Sequence, residues 1–302
     1  MAAPLQVKSI NTNTHLINIQ NKIKGQSAKK ILRGKSAGLR WLVAASLLAL
    51  VLVTTFYWYN NRAGEAQSNV IVTKRASRTN LVLPDGTVVW VNSDTKISYD
   101  ASFGKHTRDV YLIGEAYFEV VKDKSKPFIV HTNSMDIKVL GTTFNVKDYE
   151  TDPLAEALLI SGSLEVIVRE KGRNKKVLLS PNEKIITSKS PGHSDPVASP
   201  KNKERINGFS LEKIEEETDK ENIKEIGWMQ NKLVFKNEKI GEIIPVLERW
   251  YDVRIIITGA GSDELRITGT FENDKLEDVM ESLKISAQIE YEIKKNMVFI
   301  YL

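Results

Sequence analysis

Two carboxylates in the stretch LIGEAYFEV have the spacing at which a pair of acids could do chemistry. Glu115 and Glu119 stand two alternations apart, so a strand would place both of them on one face. Because paired carboxylates act as acid and base in glycoside hydrolysis, a hydrolase is one hypothesis. The alternative is that both side chains face solvent, opposite a packing surface formed by Tyr117, Phe118 and Val120. We favour this second interpretation.

The other residue types that could carry catalysis form no constellation in the sequence. The histidines, His15, His106, His131 and His193, have neither of the metal-ligand spacings HxH and HExxH, and the chain has no GxSxG elbow and no GxxxxGKS/T phosphate loop. We interpret His131 in FIVHT as a hydrogen-bonded residue of an edge strand, and GAGSDE at 259–264 as a turn between strands. The sequence thus predicts no enzyme and no catalytic, cofactor-binding or metal-binding residue.

The stretch LPDGTVVWVNSDTKISYDASF offers three further carboxylates, Asp85, Asp94 and Asp100. The residues around Asp85 are typical of a turn, because Pro fixes φ and Gly accepts a positive φ. Asp94 closes a second turn, NSD, and Asp100 lies near the end of a strand. We therefore predict that these carboxylates satisfy backbone N–H groups and have no catalytic role.

The positive charge of the chain is concentrated in its first forty residues. The chain carries a net charge of +5, but residues 1–40 hold eight Lys or Arg and no Asp or Glu, which leaves the rest with 35 basic and 38 acidic residues. The high pI therefore belongs to the N-terminal segment and not to a folded basic face. This distribution argues against direct binding of nucleic acid.

Residues 41–59, WLVAASLLALVLVTTFYWY, contain no charged side chain. A helix of this length spans about 28 Å, close to the hydrocarbon thickness of a bilayer. Trp41 at one end and Tyr57, Trp58 and Tyr59 at the other predict aromatic anchors at both interfaces. A cleaved signal peptide is the alternative, but its apolar region is shorter and starts closer to the N-terminus. We predict a single transmembrane helix.

The flanks of this helix predict its orientation in the membrane. Basic residues are concentrated on the N-terminal side, whereas Arg62 stands nearly alone after the helix, so the N-terminus is expected in the cytoplasm and the bulk of the chain outside it. The chain has no cysteine, which excludes disulfides and thiolate metal sites.

The basic segment, residues 1–40, has one short helical pattern. Leu16, Ile19 and Ile23 have helical spacing and could contact a cytoplasmic partner. Alternatively, the segment is a disordered tail that its Lys and Arg hold on anionic lipid. The residues themselves leave both alternatives open.

The rest of the chain divides by pattern. Residues 60–78 are predicted to be a juxtamembrane linker. Short alternating runs in residues 79–188 predict an all-β domain, either a sandwich, a roll or a short solenoid. Residues 189–227, with three prolines and the run EKIEEETDKENIKE, are predicted to be a charged linker, solvated as a helix or disordered.

Residues 228–302 contain an internal repeat. The segments 235–257 and 271–293 align at a constant offset of 36 residues, with the same i, i+3, i+4, i+7 apolar face and the same alternating run after it. Additional strands at KLVF, RITGTF and MVFIYL complete the order β-α-β-β-α-β-β. This predicts a small α+β domain in which two units bury their helical faces together.

Four motifs of the β region, taken in order, resemble a known family. LPDGTVVWVNSDTKISYDASF, RDVYLIGEAYFEV, PFIVHTNSMDIKVLGTTFNV and ISGSLEVIV resemble the periplasmic domain of the FecR-type sigma regulators (anti-sigma factors), and LLSPNEKI resembles its closing segment, with Asn182 where Gly is common. The C-terminal repeat is similar to the last domain of the Bacteroidetes-type members, which is related to the secretin and TonB short N-terminal fold.

The resemblance implies a signalling function without catalysis. Members of the family sense a TonB-dependent transporter of the outer membrane and control an extracytoplasmic-function sigma factor in the cytoplasm, as inhibitor or activator. The expected partners are therefore the transporter's signalling domain, the sigma factor and the bilayer, with no cofactor. The alternatives are an envelope assembly component with a secretin-like module, and a membrane-tethered glycan-binding or hydrolase module.

Overall fold

The computed structural model describes most of the chain outside the basic N-terminal segment. The described residues are 36–61, 68–170, 173–189, 203–206, 208–214, 223–259, 261 and 264–302. The chain divides into two compact units, residues 1–65 and residues 66–302, and each is described by itself. The predicted partner contacts, Leu16, Ile19 and Ile23, lie outside the described residues.

One long helix, α1, forms the described part of the first unit and extends over Ser36–Asn61. Within it, Trp41–Trp58 is long and apolar enough to cross a membrane, and none of this stretch is buried. Three of its hydroxyl groups are paired within the helix, because Ser46, Thr54 and Thr55 donate to carbonyl oxygens in the preceding turn at 2.7–2.9 Å. Internal pairing of this kind is what a hydrocarbon environment requires of polar groups.

The second unit begins with a β domain. The described residues of this domain form fourteen strands, which are β1 (Asn69–Val72), β2 (Thr79–Val82), β3 (Val88–Val91), β4 (Lys96–Tyr99), β5 (Arg108–Glu119), β6 (Phe128–His131), β7 (Met135–Val139), β8 (Thr143–Asp148), β9 (Leu154–Ser161), β10 (Leu164–Glu170), β11 (Arg173–Leu179), β12 (Glu183–Ser188), β13 (Lys203–Ile206) and β14 (Phe209–Lys213). The structure thus confirms the predicted all-β character of this region.

The central strand of this domain is β5, which is 12 residues long. Its first half pairs with β4 and, in parallel, with β6, whereas its second half pairs with β3 and β8. One side of the sheet therefore follows the order β1-β4-β5-β6-β7-β10-β11, and the other follows β2-β3-β5-β8-β9-β12-β14-β13. The sheet curls around an apolar core that contains residues from both of its sides.

The core fills the space between the two halves of the curled sheet. Phe118, from the second half of β5, stacks on Phe144 with ring centroids 5.0 Å apart and meets the edge of Phe128 at 6.0 Å. The strand changes sides at Gly114, whose φ is 119°. A Cβ atom there would lie 2.4 Å from Oγ1 of Thr95, so only glycine fits at the crossing.

Both predicted linkers contain regular structure. The segment 60–78 includes β1, and the segment 189–227 includes β13, β14 and the start of a 3-10 helix, Lys224–Gln230. β14 pairs with β12 along its whole length and so extends the sheet. The charged run therefore begins in a strand, because the alternating apolar residues of FSLEK pair with the sheet before the charge density rises.

The C-terminal domain has the element order that the repeat predicts. Its elements are β15 (Lys232–Lys239), α2 (Ile240–Tyr251), β16 (Arg254–Thr258), β17 (Arg266–Glu272), α3 (Leu276–Ala287), β18 (Glu290–Lys294) and β19 (Met297–Tyr301). The equivalent strands β15 and β17 pair with each other, and β16, β19 and β18 form a second sheet. The repeat extends to backbone detail, since Asn237 and Asn273 precede the two helices at φ of 56° and 58°.

Candidate functional site

The structure separates the two carboxylates of the candidate acid pair. Glu115 is buried and accepts hydrogen bonds from Nδ2 of Asn92 at 2.8 Å and of Asn145 at 3.0 Å. Burial raises the pKa of Glu115 above its ordinary value. Glu119 is exposed and accepts from the hydroxyl of Tyr117. The prediction that Glu115 faces solvent was wrong, and Tyr117 lies on the Glu115 face of β5, away from Phe118.

His131 is held by carboxylates on both sides. Its Nδ1 lies 2.7 Å from Oδ1 of Asp136 and its Nε2 lies 3.0 Å from Oδ1 of Asp109, while its ring stacks on Tyr111 with centroids 4.9 Å apart. The prediction of a hydrogen-bonded residue is confirmed. The prediction of an edge strand was wrong, because β6 lies between β5 and β7. Among the described residues, no group of three or more His, Asp or Glu could hold a metal ion.

Two of the three aspartates in the turn-rich stretch, Asp85 and Asp100, accept hydrogen bonds from backbone N–H groups. Asp85 accepts from its own turn, at N of Thr87, and forms a 2.8 Å ion pair with the fully buried Arg108. Asp94 has a φ of 55°. Asp100 accepts from the N–H and hydroxyl of Ser102, which lowers the pKa of that carboxyl. Asp85 therefore anchors a core arginine in addition to forming a turn.

A buried ion pair joins the β domain to the C-terminal domain. Arg249, near the end of α2, donates from Nη1 and Nη2 to both carboxylate oxygens of Asp152, at 2.7 and 2.9 Å. The two side chains are only 7% and 9% exposed. The guanidinium carbon lies 3.8 Å from the ring centroid of Tyr149, and the ammonium of Lys147 is 3.9 Å from Asp152. We call the pair Arg249–Asp152 the clamp.

The segment 73–78, which leads from β1 to β2, adds a second set of contacts with the C-terminal domain. Ala76 donates its N–H to the carbonyl of Arg249 at 2.8 Å. Arg78 donates to the carbonyl of Trp228 at 2.8 Å, and its guanidinium lies over the ring of Trp250 at 3.8 Å. Burial lowers the pKa of Arg78 below its ordinary value.

An apolar cluster continues this interface. Its members come from β5 and β9 of the β domain and from the 3-10 helix and the residue before it. The buried members are Tyr117, Leu158, Ile160, Ile223, Ile226 and Trp228. The face of β5 that carries Glu115 is thus covered by a segment more than a hundred residues away in sequence, which explains its burial.

A buried lysine fixes the 3-10 helix to the β domain. Nζ of Lys184 lies 2.8 Å from Glu225, 3.4 Å from Glu156 and 3.6 Å from Glu212. Burial alone raises the pKa of Glu156, but the attraction of Lys184 and Lys147 outweighs it and lowers this pKa to about 2. Burial alone would lower the pKa of Lys184, but the attraction of the three neighbouring carboxylates outweighs it and raises this pKa above its ordinary value.

Sequence reasoning missed the clamp, although a signal for it exists. At the offset of 36 residues, Arg249 corresponds to Ile285 and Trp250 to Ser286. The second copy thus lacks the two side chains with which the first copy contacts the β domain.

Asn182, which stands where the family commonly has Gly, has a φ of 65°, a conformation that Asn tolerates better than most residues.

The predicted membrane anchors lie at both ends of the apolar stretch of α1. Trp41, Tyr57 and Trp58 are exposed side chains. Tyr59 belongs to the same helix. Their role as interface anchors stays a prediction.

Comparison with known proteins gives the same assignment for both domains of the second unit. The family model described as "FecR protein" matches residues 69–172, and the model "FecR, C-terminal" matches residues 232–300. No curated protein matches the chain. Two crystal structures, at 1.65 and 2.50 Å, of a protein assigned as an anti-sigma factor from Parabacteroides distasonis ATCC 8503 are similar to it. Their identities are 33% and 32%, they cover 77% and 78% of this chain and 98% of their own, and the TM-score of each is 0.64. The chain belongs to the FecR family of anti-sigma regulators.

Proposed function

We propose that this protein is a single-pass regulator of an extracytoplasmic-function sigma factor in the inner membrane. It relays a signal from a TonB-dependent transporter of the outer membrane through protein–protein contacts, without catalysis. Residues 1–40 are cytoplasmic and contact the sigma factor, residues 41–59 span the bilayer, and the β and C-terminal domains lie in the periplasm.

The observation that carries this proposal is the combination of α1 with the two FecR domains. The apolar side chains of Trp41–Trp58 are all exposed, and the hydrocarbon core of a bilayer would remove them from water. The cluster of Lys and Arg before the helix, with few basic residues directly after it, supports a cytoplasmic N-terminus. The regulator therefore connects two compartments with one covalent chain.

Contact energies are sufficient for such a relay. To move a two-state equilibrium from 1:99 to 99:1, a partner must bind one state about 5.5 kcal/mol more tightly than the other. A few charge-assisted hydrogen bonds, at about 1.5–3 kcal/mol each, supply that difference. The burial of Glu115 also counts against a hydrolase, because the candidate acid pair is not accessible as a pair.

Co-purification tests the cytoplasmic contact. The full chain is expected to retain an extracytoplasmic-function sigma factor from its host, and the triple variant Leu16→Asp, Ile19→Asp, Ile23→Asp is expected to lose it. The matched control, Thr14→Asp, Asn18→Asp, Asn21→Asp, adds the same charge on the opposite helical face. Equal retention by the two triple variants, or no retained sigma factor with the full chain, contradicts the proposed contact.

Thiol labelling tests the orientation, because the chain has no cysteine of its own. A single cysteine at the exposed Leu178 is expected to react with a membrane-impermeant maleimide added to the periplasm. A cysteine at Thr14 is expected to react only after the inner membrane is permeabilised. The reverse pattern would show that the bulk of the chain is cytoplasmic.

A further inference from the structure

The segment 73–78 joins the β domain to the C-terminal domain at the place closest in sequence to α1. At its first residue, the N–H and hydroxyl of Thr73 donate within the β domain, to the carbonyls of Thr95 and Asn92. Three residues later, Ala76 donates its N–H to Arg249 of the C-terminal domain. Only residues 62–72 separate this segment from the end of the helix.

The directed contacts that hold the C-terminal domain against this segment and its neighbours are polar. They come from arginine side chains at Arg75, Arg78 and Arg249, together with the N–H of Ala76. Obligate interfaces are mainly apolar, whereas interfaces between domains that move resemble transient complexes and are more polar. The clamp and the contacts of the segment 73–78 therefore have the polar character of a separable contact, whereas the apolar cluster and Lys184 hold the 3-10 helix to the β domain.

The docked arrangement also leaves a polar atom unsatisfied. Nε1 of Trp228 is buried in the interface, and no described residue accepts its proton. A buried donor without a partner opposes docking, because it loses its hydrogen bond to water and gains none in return. The interface thus combines the polar contacts of the clamp with the cost of one unpaired buried donor.

From this arrangement we propose that the clamp is a conformational switch. The docked state, with Arg249 on Asp152, is the resting state. A contact on the C-terminal domain opens the clamp, frees the segment 73–78 from Arg249, and so changes the connection into α1. This inference rests on the proposed function for its physiological meaning, but the opening itself is a property of this chain alone.

Hydrogen exchange in the full chain, held in lipid nanodiscs, measures the opening. The amide of Ala76 is protected by the carbonyl of Arg249, so its exchange rate reports undocking, whereas the amide of Thr73 is protected within the β domain and reports unfolding of that domain. Removal of one member of a buried ion pair leaves the other without compensation. We therefore expect Arg249→Met to raise the Ala76 exchange rate more than about 100-fold and to leave the Thr73 rate unchanged.

A second variant and a control make the test independent of misfolding. Asp152→Asn keeps the shape of the side chain and removes only its charge, and we expect it to raise the Ala76 rate in the same direction. Arg169→Met breaks an arginine–aspartate pair with Asp136 that lies wholly within the β domain, so both amides are expected to keep their wild-type rates. The proposal that the clamp opens is overturned if the Ala76 exchange rate stays within about threefold of wild type in both clamp variants, or if the Thr73 and Ala76 rates rise together.

The link to signalling has its own readout. If opening is the signal, Asp152→Asn changes the amount of sigma factor retained by the unstimulated chain by about 5–150-fold, the usual range of coupling between sites. Exchange that shows an open clamp, with sigma retention as in wild type, overturns the switch and leaves the proposed function standing. Failure of the proposed function is recognised separately, because the wild-type chain then retains no sigma factor while the exchange measurement still reports on the clamp.

Discussion

The buried Lys184 cluster gives a stability prediction whose size follows from the structure. Glu156 has a pKa of about 2 in the folded protein against 4.5 ordinarily. At about 1.4 kcal/mol per pH unit, this difference corresponds to a contribution of up to about 3 kcal/mol to the free energy of unfolding. Glu156 shares Lys184 with two other carboxylates and is partly exposed, so we expect Glu156→Gln to cost about 2–3 kcal/mol at pH 7.

The sign of the pH dependence follows from the direction of this shift. A carboxylate whose pKa is lower in the folded state stabilises the protein fully above its unfolded pKa, and this contribution is lost as the pH falls from about 4.5 to about 2. Wild type is therefore expected to lose stability in that window, and Glu156→Gln is expected to lose less. Urea unfolding of residues 66–302, followed by tryptophan fluorescence at a series of pH values, measures both quantities.

A surface pair provides the control for this prediction. Glu165 lies 2.7 Å from Lys176, but that lysine is largely exposed. Glu165→Gln is expected to change the unfolding free energy by less than about 0.5 kcal/mol, because exposed pairs contribute little. If Glu156→Gln costs no more than Glu165→Gln at pH 7, the reasoning from burial and charge is refuted.

Three further substitutions test other parts of the β domain by the same unfolding assay. Arg108→Met is expected to cost about 3–5 kcal/mol, because it leaves Asp85 without its buried partner, and a cost below about 1 kcal/mol would contradict that role. Gly114→Ala is expected to cost more than about 2 kcal/mol, since φ is 119° and a Cβ atom meets Thr95, and a neutral result would show that the strand crossing relaxes freely. Burial raises the pKa of Glu115, so wild type is expected to lose stability as the pH rises above 4.5, whereas Glu115→Gln is expected to remove this dependence. Equal slopes in the two proteins would argue against a raised pKa.

The C-terminal domain was predictable because its sequence carries two independent signals at once. The apolar face of each helix recurs with helical period, and the whole unit recurs after 36 residues. Ile243 and Leu247 of the first copy and Val279 and Leu283 of the second are all buried in one cluster. A pattern that appears twice in the same order constrains element type far more than a single pattern does.

The burial of Glu115 could not be predicted, because strand alternation tells which residues share a face but not what covers that face. In an isolated sheet the Phe118 face would be the core and the Glu115 face would be solvated. Here the second face is covered by the 3-10 helix and by α2, whose residues are distant in sequence. Each face of β5 is therefore buried by a different partner, and local pattern identifies only one of them.

A comparison of equivalent positions in the two copies of the repeat indicates how the clamp could have been found. Positions that pack the helices together, such as Leu247 and Leu283, keep their chemistry in both copies of the repeat because the same core constrains them. Arg249 and Ile285 occupy equivalent positions and differ completely, so the core of the domain does not dictate either residue. Arg249 is nevertheless buried, whereas Ile285 is 74% exposed. A charged residue that is buried only in one copy must be compensated from outside the repeat, and Asp152 of the β domain provides that compensation.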